Sequence, residues 1–229
     1  MLYLSDSKNS KLVYEHPEMT KMTRLAESFN LPIEEKECIS RIYRAFRNIV
    51  EKDMREFIQE KPQMHSFDII GRILVNSTSK FAIVINGIPG TGKTTILRSL
   101  QVVINELELA DPLYNTETSF VQAGLSIIDA TELCKIFQKS ATTYDRYKNQ
   151  SLLAIDDLGA EPQSIVSYGN LYTPIADLIA YRYQRRMFTI LTTNTPTADI
   201  RPRYGDRIAD RLNEMAYVVT MPSINFRML

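Results

Sequence analysis

The stretch Asn86–Thr95 reads NGIPGTGKTT and directly follows an apolar, β-branched run, FAIVIN. That run predicts a buried strand that ends at a glycine-rich turn. After the turn, apolar residues recur at helical spacing from Thr94 to Leu109. Strand, glycine-rich loop and helix in this order are the context that a phosphate-binding loop requires, so the sequence predicts a site where backbone N–H groups and a helix N-terminus converge on phosphate.

The loop matches the pattern G-x-x-x-x-G-K-S/T through Gly87, Gly92, Lys93 and Thr94. Lys93 is expected to reach the β- and γ-phosphates of a nucleotide such as ATP, and the hydroxyl of Thr94 is expected to ligate Mg²⁺. A fortuitous glycine turn is the alternative, which the flanking strand and helix disfavour. The predicted nucleotide-binding residues are Gly87, Ile88, Pro89, Gly90, Thr91, Gly92, Lys93, Thr94 and Thr95.

A second candidate element is LLAIDDLGAEP, residues 152–162, in which an apolar strand ends in two carboxylates. Asp156 is predicted to hold Mg²⁺, and Asp157 to orient or deprotonate a water molecule. Helix capping or a solvated turn is the alternative for both. Glu161 is a second candidate for the base. Asn194, which follows the apolar run TILTT, is predicted to hold the attacking water or to sense the γ-phosphate, with a turn-forming role as its alternative.

Strands and helices alternate along the chain, which predicts a three-layer α/β fold with a mostly parallel central sheet and ligands at the carboxyl ends of its strands. Asp129 and Glu132 predict a capping box for the helix that follows the strand LSIID. A long helix is predicted from about Leu171 to Arg186, before the strand MFTILTTN.

The N-terminal part is predicted to be a short helical extension, residues 1–65, joined to a nucleotide-binding domain of residues 66–229. A short helix is expected around Met19 to Phe29. An apolar stripe from Ile39 to Val50 indicates an amphipathic helix that Pro62 closes. Packing on the main domain and binding of a partner are both compatible with this stripe.

Composition narrows the possible functions. The chain has 27 basic and 27 acidic residues, so a contact with DNA requires a local patch. Cys38 and Cys134 form no metal or redox motif, and neither His16 nor His65 has a partner at ligand spacing. No signal peptide is evident, and no window approaches the roughly 18 apolar residues of a membrane span. A cytoplasmic protein without a membrane contact is expected.

Four stretches of the sequence together resemble the motifs of the AAA+ ATPases: GIPGTGKT, LLAIDDLGAE, TILTTN and YGDRIADRL. Within the AAA+ ATPases, they resemble the bacterial helicase-loader and transposition-helper group of the DnaC, DnaI and IstB types. The resemblance covers about Phe67 to Arg227. It implies that Asp156 and Asp157 form the Walker B pair and that Asn194 is sensor 1.

The same resemblance implies roles for three arginines near the end of the sequence. Arg211 is similar to the arginine finger that completes a neighbouring subunit's site, Arg207 is a second candidate for it, and Arg227 is similar to the nucleotide-contacting sensor 2. A helical lid domain is not expected after Arg227. Many AAA+ proteins have Glu at the position of Asp157, whose side chain is one methylene shorter, so slow hydrolysis is expected. Because the arginine finger comes from a neighbouring subunit, hydrolysis is also expected to depend on assembly.

The function implied by this resemblance is ATP-controlled assembly on single-stranded DNA, as a homo-oligomer that loads a replicative DNA helicase. There are three alternatives: a transposition helper that acts with a transposase, a nucleoside or nucleotide kinase, and a non-hydrolysing scaffold that binds ATP. Candidate DNA contacts, for which solvated helix surface is the other interpretation, are Arg182, Arg185, Arg186, Tyr144 and Tyr147.

Overall fold

A sheet of five parallel strands forms the centre of the computed structural model, which describes residues 29–76, 79–167 and 169–226. Its strands, in chain order, are β1 (Ala82–Asn86), β2 (Leu125–Asp129), β3 (Leu152–Leu158), β6 (Thr189–Thr193) and β7 (Ala216–Thr220). Their order across the sheet is β2-β3-β6-β1-β7. Two further strands, β4 (Ile165–Ser167) and β5 (Asn170–Tyr172), form a separate antiparallel hairpin.

Helices cover both faces of this sheet. The described residues form eight of them: α1 (Glu35–Lys52), α2 (Lys61–Val75), α3 (Lys93–Glu106), α4 (Ala130–Lys139), α5 (Ala141–Lys148), α6 (Pro174–Gln184), α7 (Thr197–Tyr204) and α8 (Asp206–Met215). Successive residues of β1 alternate between two hydrophobic clusters, with Ile83 and Ile85 in one and Ala82 and Val84 in the other. Because side chains on a strand alternate between its faces, two clusters separated by one sheet make the predicted three-layer α/β fold.

The register of the sheet brings the functional segments to one edge. Asn86 at the end of β1 pairs with Thr193 at the end of β6, and Asp156 in β3 pairs with Asp129 at the end of β2. All four pairings in the central sheet are parallel, so the loops after β1, β3 and β6 leave the sheet on the same side.

The apolar stripe of α1 packs into the core of the domain. Ile42 and Phe46 are buried in the same cluster as residues of α2, α3 and β1, and Tyr43 and Val50 pack against that cluster. The stripe therefore serves the core. Division of the chain at residue 65 stays a proposal, and the part before that boundary includes α1, which shares this core.

Several predicted boundaries differ from the observed ones. Pro62 does not close the first helix, which already ends at Lys52; it lies in the first turn of α2, where a proline loses no helical hydrogen bond. The helix predicted from Leu171 begins at Pro174, because Leu171 belongs to the β4–β5 hairpin. The capping box predicted for α4 is confirmed in one half: Asp129 accepts a hydrogen bond from the backbone N–H of Glu132 at 2.9 Å, whereas the carboxylate of Glu132 accepts one from Lys135 at 3.2 Å. The short helix expected around Met19 to Phe29 and the contact expected from Arg227 lie wholly or almost wholly outside the described residues.

Candidate nucleotide-binding site

The glycine-rich loop between β1 and α3 has a backbone that glycine makes possible. Gly90 and Gly92 both have φ of 87°, a left-handed conformation that side chains disfavour. Gly92 is the N-cap of α3, and a Cβ built on it would lie 2.9 Å from Cζ of Phe46. Within the loop, the hydroxyl of Thr91 donates a hydrogen bond to the carbonyl of Ile88 at 3.0 Å. The loop thus leads directly into the N-terminus of α3, the geometry that suits a phosphate group.

Lys93 joins the loop to the end of the neighbouring strand β6. Its side chain is buried, and its ammonium group donates to the carbonyl of Gly87 at 2.7 Å, to the carbonyl of Ile88 at 3.0 Å and to Oδ1 of Asn194 at 2.5 Å. The predicted lysine and the predicted sensor amide are therefore in direct contact, although 101 positions separate them in the sequence.

Thr94 and Asp156 form the second contact of the site. The hydroxyl of Thr94 donates to Oδ2 of Asp156 at 2.7 Å. A hydroxyl beside a carboxylate is an oxygen donor set that suits Mg²⁺, which takes one or two carboxylates together with substrate phosphates. No group of three or more His, Cys, Asp or Glu side chains that could hold a metal ion occurs within the described part of the chain. An ion beside Thr94 and Asp156 would therefore take its remaining ligands from the nucleotide phosphates and water. The residues fit a magnesium ion held between protein and nucleotide.

Thr192 on β6 bonds to both aspartates of the site, and the sequence analysis did not single it out. Its fully buried hydroxyl donates to Oδ1 of Asp156 and accepts the backbone N–H of Asp157 at 2.9 Å. The only signal in the sequence was the polar pair that interrupts the apolar run TILTT before Asn194. Two buried threonines in a central strand need hydrogen-bond partners, and the partners of Thr192 are the candidate site.

Asp157 lies where β3 loses its regular pairing with β6. The register between the two strands shifts between Ile155 and Leu158, and Asp157 has φ of 53°, in the left-handed region. Its Oδ1 accepts a hydrogen bond from Nδ2 of Asn194 at 3.3 Å, and it lines the same cleft as Lys93. The irregular backbone allows the side chain of Asp157 to reach this cleft.

The pKa of Asp157 is raised above the ordinary value of an aspartate. Burial is the largest cause, and the neighbouring charge of Asp156 adds to it, while Lys93 and the hydrogen bond from Asn194 act in the opposite direction. A carboxylate whose pKa is raised is a stronger base, which is the property that activation of water requires.

Glu161 does not share this arrangement. Its side chain is buried, and its two carboxylate oxygens accept hydrogen bonds from the backbone N–H of Gly159 at 2.8 Å and from the hydroxyl of Tyr204 at 2.5 Å. Glu161 is absent from the residues that line the cleft. The structure therefore gives it a supporting position, whereas Asp157 faces the cleft.

The cleft extends from the loop to α1 and to the segment between α1 and α2. Its empty volume is about 870 Å³, part of which is open to solvent. Apolar and aromatic side chains that the sequence analysis did not assign to the site line this end: Phe46, Val50, Phe57, Ile58 and Phe226. The rings of Phe46 and Phe57 are 6.2 Å apart and meet edge to face. Such a surface beside a phosphate loop suits a flat, largely apolar group such as a purine base.

The end of the described chain lies over the glycine-rich loop. The backbone N–H of Phe226 donates to the carbonyl of Gly90 at 3.1 Å, and a Cβ on Gly90 would overlap the side chain of Asn225. A side chain at position 90 would require the side chain of Asn225 to move, and the positive φ is the feature that favours glycine there. Arg227 is the next residue and lies outside the described part.

The two candidate finger arginines lie on α8, and neither lines the cleft. The guanidinium of Arg211 is 5.2 Å from the centre of the Tyr183 ring, and its Nη1 is buried without a hydrogen-bond partner among the described residues. Arg207 is exposed in the first turn of α8. Within one chain, the structure does not bring these arginines to Lys93.

The expected DNA contacts of Arg182 and Tyr144 are wrong. Arg182 is fully buried, and its guanidinium donates to four carbonyls, those of Lys148, Gln150, Ser151 and Phe188, and to the hydroxyl of Thr189. Burial lowers the pKa of Arg182 to about 9. Tyr144 is also buried, and its hydroxyl donates to the carbonyl of Pro174 at 2.8 Å. A helical segment rich in basic and aromatic residues can present them inwards, which the sequence alone does not reveal.

No helix within residues 29–76, 79–167 and 169–226 is long and apolar enough to cross a membrane. A comparison with protein-family models found no match, and a comparison with curated proteins found none.

Solved structures do match this chain. The DnaC helicase loader has a TM-score of 0.55 and 20% identity, over 80% of this chain and 99% of that one. DnaI has a TM-score of 0.54 and 18% identity, over 86% of this chain and 100% of that one. The replication initiator DnaA, bound to AMPPCP and single-stranded DNA, has a TM-score of 0.51 and 18% identity, over 73% of this chain and 49% of that one. The resemblance predicted from the motifs is confirmed at the level of the fold: this chain has the same fold as the solved DnaC helicase loader and DnaI.

Proposed function

We propose that this protein binds and hydrolyses ATP, and that the nucleotide controls its assembly. One observation carries the proposal: Lys93, Thr94, Asp156, Asp157 and Asn194 converge through direct hydrogen bonds at one edge of the sheet. They come from three separate segments of the chain. Phosphoryl transfer to water needs four parts: a phosphate loop, a metal-binding carboxylate, a base and a polar amide. These five residues and the loop supply a candidate for each.

Each of these residues has a distinct task in the proposal. Backbone N–H groups of the loop and the side chain of Lys93 bind the phosphates, and Thr94 with Asp156 holds Mg²⁺. When bound, the metal ion neutralises charge on the phosphates. Asp157 accepts a proton from the attacking water, and Asn194 fixes the position of Asp157 through its amide. The raised pKa of Asp157 supports this assignment.

The apolar end of the cleft supports a purine nucleotide as the ligand. Phe46 and Phe57 provide aromatic surface, and the segment 55–58, which lies outside any helix, provides backbone groups that can hydrogen-bond to the edge of a base. Replacement of Phe57 by Ala is expected to weaken ATP binding. Binding of inorganic triphosphate, which has no base, should not change.

We further propose that the completed site lies between two copies of the chain. Arg211, or Arg207 beside it on α8, would reach the cleft of a neighbouring subunit, because neither lines the cleft of its own chain. Such fingers accelerate hydrolysis in other nucleotidases by about 10³- to 10⁵-fold. The proposed process is loading of a replicative DNA helicase onto single-stranded DNA, and the fold shared with DnaC and DnaI favours a helicase over a transposase as the partner.

The test combines ATPase measurements with sizing by analytical ultracentrifugation, with and without ATP, Mg²⁺ and single-stranded DNA. We expect a larger particle with all three and release of inorganic phosphate, and we expect Lys93→Ala to abolish both. Transfer of phosphate to a small acceptor, or sizes that do not respond to ATP, would contradict the proposal.

Mixing experiments test the shared site separately. Arg211→Ala subunits should bind ATP without hydrolysing it, and Lys93→Ala subunits should supply the missing arginine to them. Activity should therefore reappear when the two inactive variants are mixed. Absence of recovery for both Arg211→Ala and Arg207→Ala would refute a site completed by α8.

A further inference from the structure

Glu161 lies between Asp157, the candidate base, and α7, the helix that precedes α8 with its two candidate finger arginines. It follows Asp157 by four residues, and its carboxylate is almost inaccessible, with 1% of the side chain exposed. Neither of its oxygens faces the cleft. A buried carboxylate is costly unless it is paired and hydrogen-bonded, so its partners indicate what it holds in place.

The first partner belongs to the turn that contains Asp157. Oε2 of Glu161 accepts the backbone N–H of Gly159 at 2.8 Å, and the N–H of Ala160 donates to the carbonyl of Asp157 at 3.0 Å. Asp157 and Gly159 both have positive φ, at 53° and 100°. A non-glycine residue in the left-handed region costs free energy and persists where the surroundings impose it. The Glu161 carboxylate is one of the groups that impose this conformation.

The second set of partners belongs to the end of α7. Oε1 of Glu161 accepts the hydroxyl hydrogen of Tyr204 at 2.5 Å and lies 3.7 Å from the guanidinium of Arg203, which also donates to the backbone carbonyl of Glu161. Burial and this hydrogen bond raise the pKa of the Tyr204 phenol. Only Gly205 separates Tyr204 from the first residue of α8.

We propose that Glu161 is a positioning residue: it holds the left-handed turn that aims Asp157 and couples this turn, through Tyr204 and Arg203, to the α7–α8 segment. A displacement of α7–α8, such as a neighbouring subunit would cause on contact, then alters the geometry of Asp157. This inference rests on the proposed ATPase function, and it adds a path by which assembly regulates hydrolysis within the same chain.

Tyr204→Phe is the sharpest test, because it removes one hydroxyl and keeps the ring. Loss of a hydrogen bond to a charged group is expected to lower kcat about tenfold. Binding of ATP should stay within about twofold, since Tyr204 does not contact the cleft. Tyr144→Phe is the matched control: it also removes a buried hydroxyl bond, but one to the carbonyl of Pro174, which involves neither Glu161 nor the Asp157 turn. Its kcat should equal that of the wild type.

Glu161→Gln tests the charge, and the double variant tests the coupling. Glu161→Gln keeps one oxygen acceptor but loses the ion pair with Arg203, so kcat should fall while ATP binding persists. Because both changes interrupt one path, the double variant should be less impaired than the product of the two single effects. Independent, multiplicative effects would overturn the coupling, as would a wild-type kcat in Tyr204→Phe.

Hydrogen exchange at the backbone N–H of Gly159, followed by NMR, tests the positioning without any activity. Exchange should become faster in Tyr204→Phe and in Glu161→Ala than in the wild type and in Tyr144→Phe. If the wild type does not hydrolyse ATP, the proposed function fails, and this exchange still decides whether Glu161 holds the turn. Unchanged exchange in both variants would overturn the positioning role.

Discussion

Thr192 offers the most discriminating perturbation of the candidate site, because one hydroxyl bonds to the carboxylate of Asp156 and to the backbone N–H of Asp157. Thr192→Val keeps the size and branching of the side chain. It removes the donor to Oδ1 of Asp156 and the acceptor of the Asp157 N–H. The variant therefore separates the polar role of this residue from its packing in β6.

The expected loss of stability follows from these two bonds. A buried backbone N–H left without an acceptor costs about 1–3 kcal/mol, and a hydrogen bond to a charged group contributes about 1.5–3 kcal/mol. Asp156 keeps its bond from Thr94, and the added methyl group returns about 0.8 kcal/mol by apolar burial. The free energy of unfolding, measured by urea denaturation without nucleotide, should fall by about 2–4 kcal/mol.

Thr193→Val is the matched control on the same strand. Thr193 is equally buried, and its hydroxyl also makes two bonds, to the carbonyl of Leu158 at 2.6 Å and from the N–H of Thr195 at 3.0 Å. It contacts neither Asp156 nor Asp157. We expect a similar loss of stability, about 1–3 kcal/mol, from its two unpaired groups.

The two variants should differ in their response to Mg²⁺. Changes beside a metal ligand typically weaken metal affinity by about 10- to 100-fold, so Thr192→Val should require at least about tenfold more Mg²⁺ for half-maximal ATP hydrolysis. Thr193→Val should stay within about threefold of the wild type, because its bonds do not orient the ligand. Equal Mg²⁺ requirements in the two variants would refute the assignment of Asp156 as the metal ligand oriented by Thr192.

Three further variants test the charges and the buried polar groups. Asp157→Asn should abolish hydrolysis and raise the free energy of unfolding at neutral pH. Because the folded state raises the pKa of Asp157, ionisation of this carboxyl lowers the stability of the wild type as pH rises through that pKa. A gain in stability that persists at low pH, where the carboxyl is protonated, would contradict this. Asn194→Ala removes a hydrogen bond that lowers the pKa of Asp157, so the acidic limb of the pH–rate profile should move to higher pH. If the acidic limb does not move, Asp157 is not the base. Arg182→Met leaves buried carbonyls without a donor and should lower the free energy of unfolding, measured in urea, by about 3–5 kcal/mol. Arg185→Met replaces a half-buried arginine that lies over the ring of Tyr181 and should lower it by about 1 kcal/mol or less; similar losses in the two variants would contradict the account of Arg182.

Much of the chemistry could be predicted from short stretches of sequence. The strand–loop–helix order around Lys93 and the carboxylates after an apolar run are local patterns, and the backbone follows them because glycine freedom and strand burial act over a few residues. The alternation of strands and helices gave the fold class in the same way. Errors occurred at Pro62, which was predicted to close α1 but lies in the first turn of α2, and at Leu171, which was assigned to a helix but belongs to a short hairpin.

Other features depended on contacts between distant parts of the chain. The apolar stripe of α1 predicted an amphipathic helix, but it did not reveal that Phe46 lines the end of the cleft beside the loop. Two helical segments, one basic and one basic and aromatic, were predicted as candidate DNA contacts, whereas Arg182 and Tyr144 within them are buried and hydrogen-bonded. Periodicity shows that a residue has a favoured face, but only packing decides what that face meets.

The sequence by itself determined the kinds of groups that meet a nucleotide: a permissive loop, one lysine, one hydroxyl and two carboxylates. Only the tertiary structure decided their arrangement. The position of β6 between β1 and β3 places Thr192 and Asn194 between the loop and the carboxylates. The resulting contacts join residues far apart in the sequence: 62 positions separate Thr94 from Asp156, and 101 separate Lys93 from Asn194. Strand order is fixed by the burial of both sheet faces and by the pairing of whole strands, a global balance that no single segment encodes.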